Sequence, residues 1–319
     1  MILVAGGTGR LGTLVVERLL HGGLPVRVLT RDPQRAAPLG DRVSVMTGDV
    51  RDRRTLTAAF EGVEVVVSAV HGFVGPGGVS PTSVDRDGNA NLTDAAKAAG
   101  ADLVLMSIVG VTPNSPMELF RMKYAAEQHA MASGVPTTII RATAFLELWI
   151  ELLRHTATRS GRPLVFGRGD NPINFVSVID VAALVTLAIT DTATRGDTLG
   201  IGGPDDLTFN RLAQAVQSAD GRTGTPRHVP PAMLRLAAAT IGRLKPQIRR
   251  QTLAAVAMDT TKLSFDATAT RARYPDLPCT SLTDLLSPAG NADPTATPAS
   301  TNTRADTPPG EAAPAEPPQ

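Results

Sequence analysis

The sequence predicts a doubly wound α/β fold, a parallel sheet with helices on both faces, followed by a smaller, mainly helical region. Three observations lead to this prediction. Short apolar runs alternate with helical patterns through the first half of the chain, as in parallel sheets whose strands are buried on both faces. A glycine-rich turn at 6–12 separates the first apolar run from the first helical pattern. Glycines also stand where three predicted helices end, at Gly22-Gly23, Gly100 and Gly134.

Strands alternate with helices up to about residue 140, except that the second and third strands follow each other without a predicted helix. The predicted strands are 2–5, 26–29, 43–46, 63–67, 103–106 and 137–140, and the predicted helices are 11–21, 53–60, 84–99 and 117–133. The first helix shows the pattern most clearly, because Leu11, Leu14, Val15 and Leu19 recur at helical spacing. In such a fold, ligands bind at the carboxyl ends of the strands.

Beyond Arg141 the alternation loosens and helical patterns dominate. Helices are predicted at 144–159, 181–190, 207–219, 232–244 and 248–258, a strand and turn at 163–170, and a strand at 175–179. Asp180 is the expected N-cap of the helix at 181–190. For the largely apolar helix at 232–244 we favour packing in the core over contact with a membrane.

These patterns divide the chain into three parts. We expect a dinucleotide-binding domain at 1–145, a substrate or lid region at 146–286 that partly completes the sheet, and a tail at 287–319. The tail is rich in Pro, Ala and Thr and has almost no large apolar residue. Because burial cannot offset its ordering entropy, we expect this tail to be disordered.

Composition narrows the classes of function. The net charge of +1 gives no sign of a nucleic-acid partner. The single cysteine, Cys279, excludes a disulfide within the chain and is typical of a reducing compartment. With neither a signal peptide nor a long apolar run in the sequence, we expect a cytoplasmic protein without a membrane partner, and a homodimer is left open. The five histidines lack the spacing of metal ligands, so no metal is expected.

The glycine turn predicts a dinucleotide site. Strand, glycine turn and helix in succession are the context in which such a pattern binds a pyrophosphate. Glycine lets the backbone approach the phosphates, and the start of the helix directs N–H groups at them. The residues expected to contribute are Gly6, Thr8, Gly9, Arg10, Leu11 and Gly12. The alternative is a turn that only connects strand to helix.

The end of the second strand indicates which nucleotide is bound. Arg31 stands where a guanidinium could grip a ribose 2′-phosphate, and Arg10 could reach it from the other side. Asp32 keeps NAD(H) open, since an acid there can bind the 2′-hydroxyl or simply cap the next turn. We therefore favour NADP(H) over NAD(H).

Two further strand ends are expected to line the cofactor. Asp49 and Val50 would lie beside the adenine, and Ser68, Ala69 and Val70 would pass under the adenosine ribose. The alternative is that these are ordinary residues at strand ends.

At this point the chain resembles the atypical short-chain dehydrogenase/reductase superfamily, whose nucleotide-binding domain has the Rossmann fold, and within it the NmrA-like group. The resemblance covers about residues 1–200 well and the helices up to about 286 loosely. It is carried by the glycine turn, Gly48-Asp49-Val50, 85–89 leading into 92–96, Met106-Ser107, Lys123 with Glu127, 134–141 and 175–181.

The resemblance implies a catalytic group and also raises a problem. The superfamily usually reduces carbonyls with a tyrosine acid and a lysine four residues later, and Lys123 is similar to that lysine. The tyrosine position is Leu119, and Tyr124 points about 100° away from Lys123 on a helix. Relatives similar to isoflavone and benzylic ether reductases manage with the lysine alone. That analogy implies Lys123 as acid or base and Ser107 as a hydroxyl that polarises the substrate oxygen.

Structural roles remain open for both residues, because Lys123 could only bind the nicotinamide ribose and Ser107 could only bond to backbone. Arg141 is expected beside the nicotinamide, where the substrate pocket begins. His71 opens a glycine-rich stretch that leaves the fourth strand, and it is the alternative proton donor.

The sequence therefore predicts an NADP(H)-dependent oxidoreductase that acts on a small, fairly apolar carbonyl, enone or quinone. The alternative from another class is an NmrA-like redox sensor that binds NADP(H) and catalyses nothing. A sugar-nucleotide epimerase is a third hypothesis, less favoured because its chemistry also uses the absent tyrosine.

Overall fold

The computed structural model describes residues 1–75, 77–158 and 160–287. Its strands are β1 (Ile2–Ala5), β2 (Val26–Thr30), β3 (Ser44–Thr47), β4 (Val65–Ser68), β5 (Asp102–Ile108), β6 (Thr137–Ala142), β7 (Ala144–Phe145), β8 (Leu164–Phe166), β9 (Ile173–Val176), β10 (Thr198–Ile201), β11 (Asp206–Leu207) and β12 (Arg227–Val229). Its helices are α1 (Arg10–His21), α2 (Leu56–Ala59), α3 (Asp87–Ala99), α4 (Glu118–Ser133), α5 (Leu146–Ala157), α6 (Val178–Thr190), α7 (Phe209–Ala219), α8 (Pro231–Ala239), α9 (Ile241–Leu244), α10 (Pro246–Thr260), α11 (Thr268–Arg273) and α12 (Leu282–Leu286).

Seven strands form the central sheet in the order β10-β6-β5-β4-β1-β2-β3, and every neighbouring pair is parallel. Helices α1 and α6 pack on one face of this sheet, and α2, α3 and α4 pack on the other. The predicted doubly wound fold is thus confirmed. Because β1 lies between β2 and β4, the strand order reverses there, and this switch point is where a ligand cleft forms.

The start of α6 corrects one prediction. Ser177, not Asp180, is the N-cap, and its hydroxyl accepts a hydrogen bond from Ile179 N at 3.1 Å. Asp180 is fully buried inside the first turn, where its carboxylate accepts from Thr280 N at 3.0 Å and pairs with Arg271 at 3.3 Å. The predicted strand at 175–179 therefore ends at Val176, because the helix begins two residues later.

Three other predicted elements divide into parts. The helix at 53–60 is a 3-10 turn, Arg53–Thr55, followed by α2. The helix at 144–159 begins as β7, which pairs with β9 before α5 starts. The helix at 232–244 breaks at Thr240 into α8 and α9.

The C-terminal region has its own core and an unburied helical face. Side chains of α5, β8, β9 and α7 form the core, with Trp149 and Phe175 both edge-on to Phe209. Leu234 and Ala238 of α8 are buried as predicted. The prediction that the whole 232–244 segment packs in the core is wrong for its larger side chains, because Leu236 is 63% exposed and Leu244 is 87% exposed.

Within the described residues, no helix has the length and apolar content that crossing a bilayer requires. The predicted disordered tail, apart from Ser287, lies outside the described residues.

Candidate active site

The glycine turn between β1 and α1 is packed so closely that side chains are excluded. Gly6 has φ +86°, and a Cβ there would lie 2.7 Å from the carbonyl oxygen of Ala69, just beyond β4. A Cβ on Gly12 would overlap the carbonyl of Gly6 and lie 2.7 Å from the Cα of Gly7. Gly9 precedes α1 without a side-chain cap, and the first turn holds no acid. N–H groups at the start of α1 are therefore available to an anion.

The end of β2 places Arg31 at the surface. Among the described residues, the Arg31 guanidinium has no hydrogen-bond or ion-pair partner, although its charge helps to lower the pKa of Asp49. The Asp32 carboxylate accepts from Gln34 N at 3.1 Å and caps the following 3-10 turn, Pro33–Arg42. Of the two roles left open for Asp32, the structure therefore displays the cap.

Both cations beside the glycine turn are engaged with the protein. Arg10 forms an ion pair with Glu151 of α5, so its guanidinium is not free to reach a 2′-phosphate in this structure. Arg35, which sequence reasoning missed, donates to the carbonyl of Thr8 at 3.2 Å. The Thr8 hydroxyl lies 3.5 Å from that of Thr30, which ties the glycine turn to the end of β2.

The predicted adenine residues follow β3. A hydrogen bond from the Arg51 guanidinium lowers the pKa of Asp49, and the guanidinium holds the carboxylate at 2.6–3.0 Å. Val50 is buried against Gly88, and its carbonyl accepts from Asn91 at 2.9 Å. The charged end of Asp49 is thus turned to Arg51.

The residues at the end of β4 contribute mainly backbone. The hydroxyl of Ser68 is fully buried and bonds to Asn89, so this side chain is held within the protein. Ala69 N donates to Ala5 O at 2.9 Å, which joins β4 to β1. Asn89 in turn donates to the backbone carbonyl of Asp85 at 2.8 Å.

Lys123 of α4 is buried, with 4% of its surface exposed. Its ammonium lies 3.0 Å from the carbonyl oxygens of Val70 and Met106, and 3.1 Å from Oδ1 of the fully buried Asp85. The ammonium thus donates two hydrogen bonds to backbone carbonyls, and its charge is paired with a buried carboxylate. Lys123 is therefore fully occupied by the protein, and a free lysine at the cleft surface is not what the structure displays.

Ser107 is one of several buried polar side chains that have an atom without a hydrogen-bond partner among the described residues. Ser107 is only 4% exposed, and its Oγ has no hydrogen bond among the described residues. Ser107 directly follows Met106, whose carbonyl holds Lys123, and it is paired in register with Arg141 of β6. The unmet hydrogen bond marks Ser107 as a group that a ligand could satisfy.

Arg141 is held by a buried acid. Glu127, fully buried in α4, accepts from the Arg141 guanidinium at 2.9 and 2.5 Å, and this bond raises the pKa of Arg141. The Arg141 charge is thus neutralised by the protein itself.

His71 has an exposed side chain in the segment that follows β4. Desolvation by the surrounding protein lowers the pKa of His71, while Asp85 acts to raise it and Lys123 to lower it. The buried acids Asp85 and Glu127 were not predicted as site residues, although both lie within the motifs that carry the family resemblance.

Comparisons with known proteins agree with this geometry. The sequence profile of the NAD(P)H-binding family matches residues 6–192. An NAD(P)H azoreductase of Xenophilus azovorans is 33% identical over 226 residues, covering 70% of this chain and 74% of the relative. A (4-alkanoyl-5-oxo-2,5-dihydrofuran-3-yl)methyl phosphate reductase of Streptomyces griseus is 32% identical, with coverage of 70% and 74%.

Solved structures share the fold. The NADPH-dependent quinone oxidoreductase QOR2 of Escherichia coli, in complex with NADPH, has a TM-score of 0.71 at 24% identity, covering 91% of this chain and 100% of that chain. The Citrobacter triphenylmethane reductase in complex with NADP(H) has a TM-score of 0.72 at 22% identity, covering 89% and 98%. The predicted family and the prediction of an enzyme are confirmed. The chain belongs to the NAD(P)H-binding family of NmrA-like, atypical short-chain dehydrogenase/reductases.

Proposed function

We propose that the protein is an NADPH-dependent reductase that passes a hydride to a small apolar acceptor, such as a carbonyl, enone, quinone or azo compound. The observation that carries the proposal is the glycine turn, which is packed against Ala69 and leaves the start of α1 open at the switch point of the sheet. Relatives named as an azoreductase and a quinone oxidoreductase support this acceptor class.

The preference for NADPH rests on the charges at the end of β2. Arg31 has no partner among the described residues, and Asp32 is engaged in capping a turn. A free guanidinium can form a charge-assisted pair with a 2′-phosphate, whereas an occupied acid does not compete for a ribose hydroxyl.

The predicted site residues take different roles in this proposal. Gly6, Gly9, Leu11 and Gly12 would hold the pyrophosphate through backbone, because side chains are excluded there or point elsewhere. Ser107 would donate its unpaired hydroxyl to the acceptor oxygen. Bound NADPH would supply the hydride.

A redox sensor remains the second candidate, and one observation favours it. Lys123 is locked in a buried ion pair with Asp85, and Leu119 replaces the usual tyrosine, so neither group of the superfamily's standard mechanism is free to move a proton. A sensor would bind NADPH with the same glycine turn and transfer no hydride.

One experiment separates the two candidates. Purified protein is assayed for NADPH and NADH oxidation with quinones, enones, aldehydes, azo compounds and triarylmethyl cations, while cofactor affinity is measured in parallel by fluorescence titration. We expect turnover with at least one acceptor and tighter binding of NADPH than of NADH. Intact NADPH binding without turnover of any acceptor would establish the sensor instead.

A further inference from the structure

We propose that His71 is the proton donor of the reaction and that the buried Lys123–Asp85 pair is there to position it. This inference rests on the proposed reductase function, and it assigns the acid–base work to a residue other than the family's lysine.

Both peptide groups that flank His71 are held by the same ion pair. The carbonyl of Val70 accepts from Lys123 Nζ at 3.0 Å. The N–H of Gly72 donates to Asp85 Oδ2 at 2.7 Å. Because Lys123 and Asp85 also contact each other at 3.1 Å, the contacts close into a ring around the His71 backbone. The ring fixes the direction in which the imidazole leaves the chain.

The segment around His71 lies beside the glycine turn. Ala69, two residues before His71, has the carbonyl against which Gly6 packs. On the other side of His71, Gly72 is buried, and a Cβ there would lie 2.7 Å from the carbonyl carbon of Ser80. Thus Gly72 is buried and Val70 half-buried, while the His71 side chain is exposed, an arrangement that presents the ring to water.

Lys123 cannot take this role without breaking the clamp. Its ammonium donates to the carbonyls of Val70 and Met106 and forms an ion pair with Asp85, so a lysine that gave up its proton would leave the buried Asp85 charge unpaired. Leaving a buried charge without its partner is strongly destabilising. Leu119 has no proton to give. The one phenol of α4 is Tyr124, which acts to raise the pKa of Arg141.

Reduction of a quinone needs one hydride and one proton, and a single imidazolium supplies the proton. A quinone that receives a hydride gains two electrons and one hydrogen, and it needs one more proton to become a hydroquinone. Because desolvation lowers the pKa of His71, its imidazolium is populated mainly below neutral pH. In that form the ring gives the proton to the acceptor oxygen and is left as neutral imidazole. Since the ring is exposed, it recovers a proton from water. A triarylmethyl cation, in contrast, becomes neutral on receiving the hydride alone and needs no proton.

This difference between acceptors provides the test. We expect His71→Ala to lower kcat with a quinone by about a hundredfold, the low end of a general acid contribution, and to change kcat with a triarylmethyl cation by less than about threefold. Added imidazole should restore part of the quinone rate, because the removed ring was open to solvent. His21→Gln is the matched control, since His21 is an exposed histidine at the far end of α1.

A measurement without cofactor tests the clamp. By NMR, the His71 ring should titrate below the usual pKa of about 6.5, and Asp85→Asn should lower that pKa further, because Asp85 raises it and Lys123 lowers it. A His71 pKa that does not respond to Asp85→Asn would overturn the positioning role.

Three results would overturn the assignment of His71. One is full quinone turnover in His71→Ala. Another is an equal loss with both acceptors, which would indicate a role in hydride geometry. The third is a loss of quinone reduction, but not of triarylmethyl cation reduction, in Tyr124→Phe, while His71→Ala still reduces the quinone. Failure of the proposed function looks different, because the wild type itself would then reduce neither acceptor.

Discussion

The cofactor side of the cleft and the helices α8 to α10 are built in opposite ways. On the cofactor side, the shape is set by backbone packed against backbone, as where Gly6 meets Ala69 and Gly12 meets the Gly6 carbonyl. In α8, by contrast, Leu234 and Ala238 face inward while Met233 and Leu236 face outward and are exposed. One region is shaped by close backbone contacts, and the other presents exposed apolar side chains.

Charge distribution differs between the two regions as well. Arg10, Arg51 and Arg141, along the cleft, each pair with a carboxylate. The stretch 221–258 carries seven basic residues and no acid, and among the described residues none of the seven forms an ion pair. This stretch reaches the cleft side through Arg250, which donates to the carbonyl of Val79 at 3.4 Å. Under the proposed function, we therefore expect a preorganised cofactor site beside a variable acceptor site formed by this stretch.

The largest effect should come from filling the glycine turn. Gly12→Ala places a methyl group into the Gly6 carbonyl, and we expect NADPH affinity to fall by at least a hundredfold with a lower Tm. Alanine has a helix propensity about 1 kcal/mol more favourable than that of glycine. The clash of its methyl group with the Gly6 carbonyl must therefore cost more than this gain. Gly22→Ala, at the other end of α1 with its nearest contact at 3.4 Å, is the control. If Gly12→Ala binds NADPH with wild-type affinity, the backbone of the glycine turn does not define the cofactor site.

A smaller effect is expected at the 2′-phosphate. Arg31→Ala should reduce the ratio of NADPH to NADH affinity by about ten- to a hundredfold, since a charge-assisted hydrogen bond contributes about 1.5–3 kcal/mol. Fluorescence titration with both cofactors measures the ratio. Arg42→Ala, another exposed arginine of the same segment, should leave it unchanged. An unaltered ratio in Arg31→Ala would remove the reason for preferring NADPH.

The smallest effect is expected at the exposed face of α8. Leu236→Gln should raise KM for an apolar acceptor by about fivefold, the equivalent of roughly 1 kcal/mol from a partly buried leucine, without changing NADPH affinity or Tm. Met131→Gln on α4, at a side chain 54% exposed, is the matched control. If both variants behave alike, the outer face of α8 does not contact the acceptor, and the contrast between the two regions loses its functional meaning.

Local patterns predicted the parts of the site that depend on neighbours in sequence. The glycine turn, the exposed Arg31 and the alternation of strands and helices are all visible within short windows, because turn geometry and periodicity act over a few residues. The partners of Lys123, Arg10 and Arg141 could not be predicted in this way. Arg10 and Glu151 are 141 positions apart, and only the folded chain brings them together.

Lys123 illustrates the limit most clearly. Its place in the sequence predicted acid–base or ribose-binding chemistry, whereas the fold encloses it with Asp85 and two carbonyls. Whether a lysine is a free ammonium or one half of a buried pair depends on which elements pack around it, here α4 against the turn Pro81–Arg86 and β5.

The sequence by itself determined the fold class, the nucleotide turn and the family, because each depends on residue type and short-range spacing. The tertiary structure decided which charges are free. It paired Arg10, Asp49 and Arg141 with oppositely charged side chains of the protein, left Ser107 without a partner, and exposed His71 between two clamped peptides. The physical reason is that charge and hydrogen-bond satisfaction depend on contacts between distant elements, which no local pattern encodes.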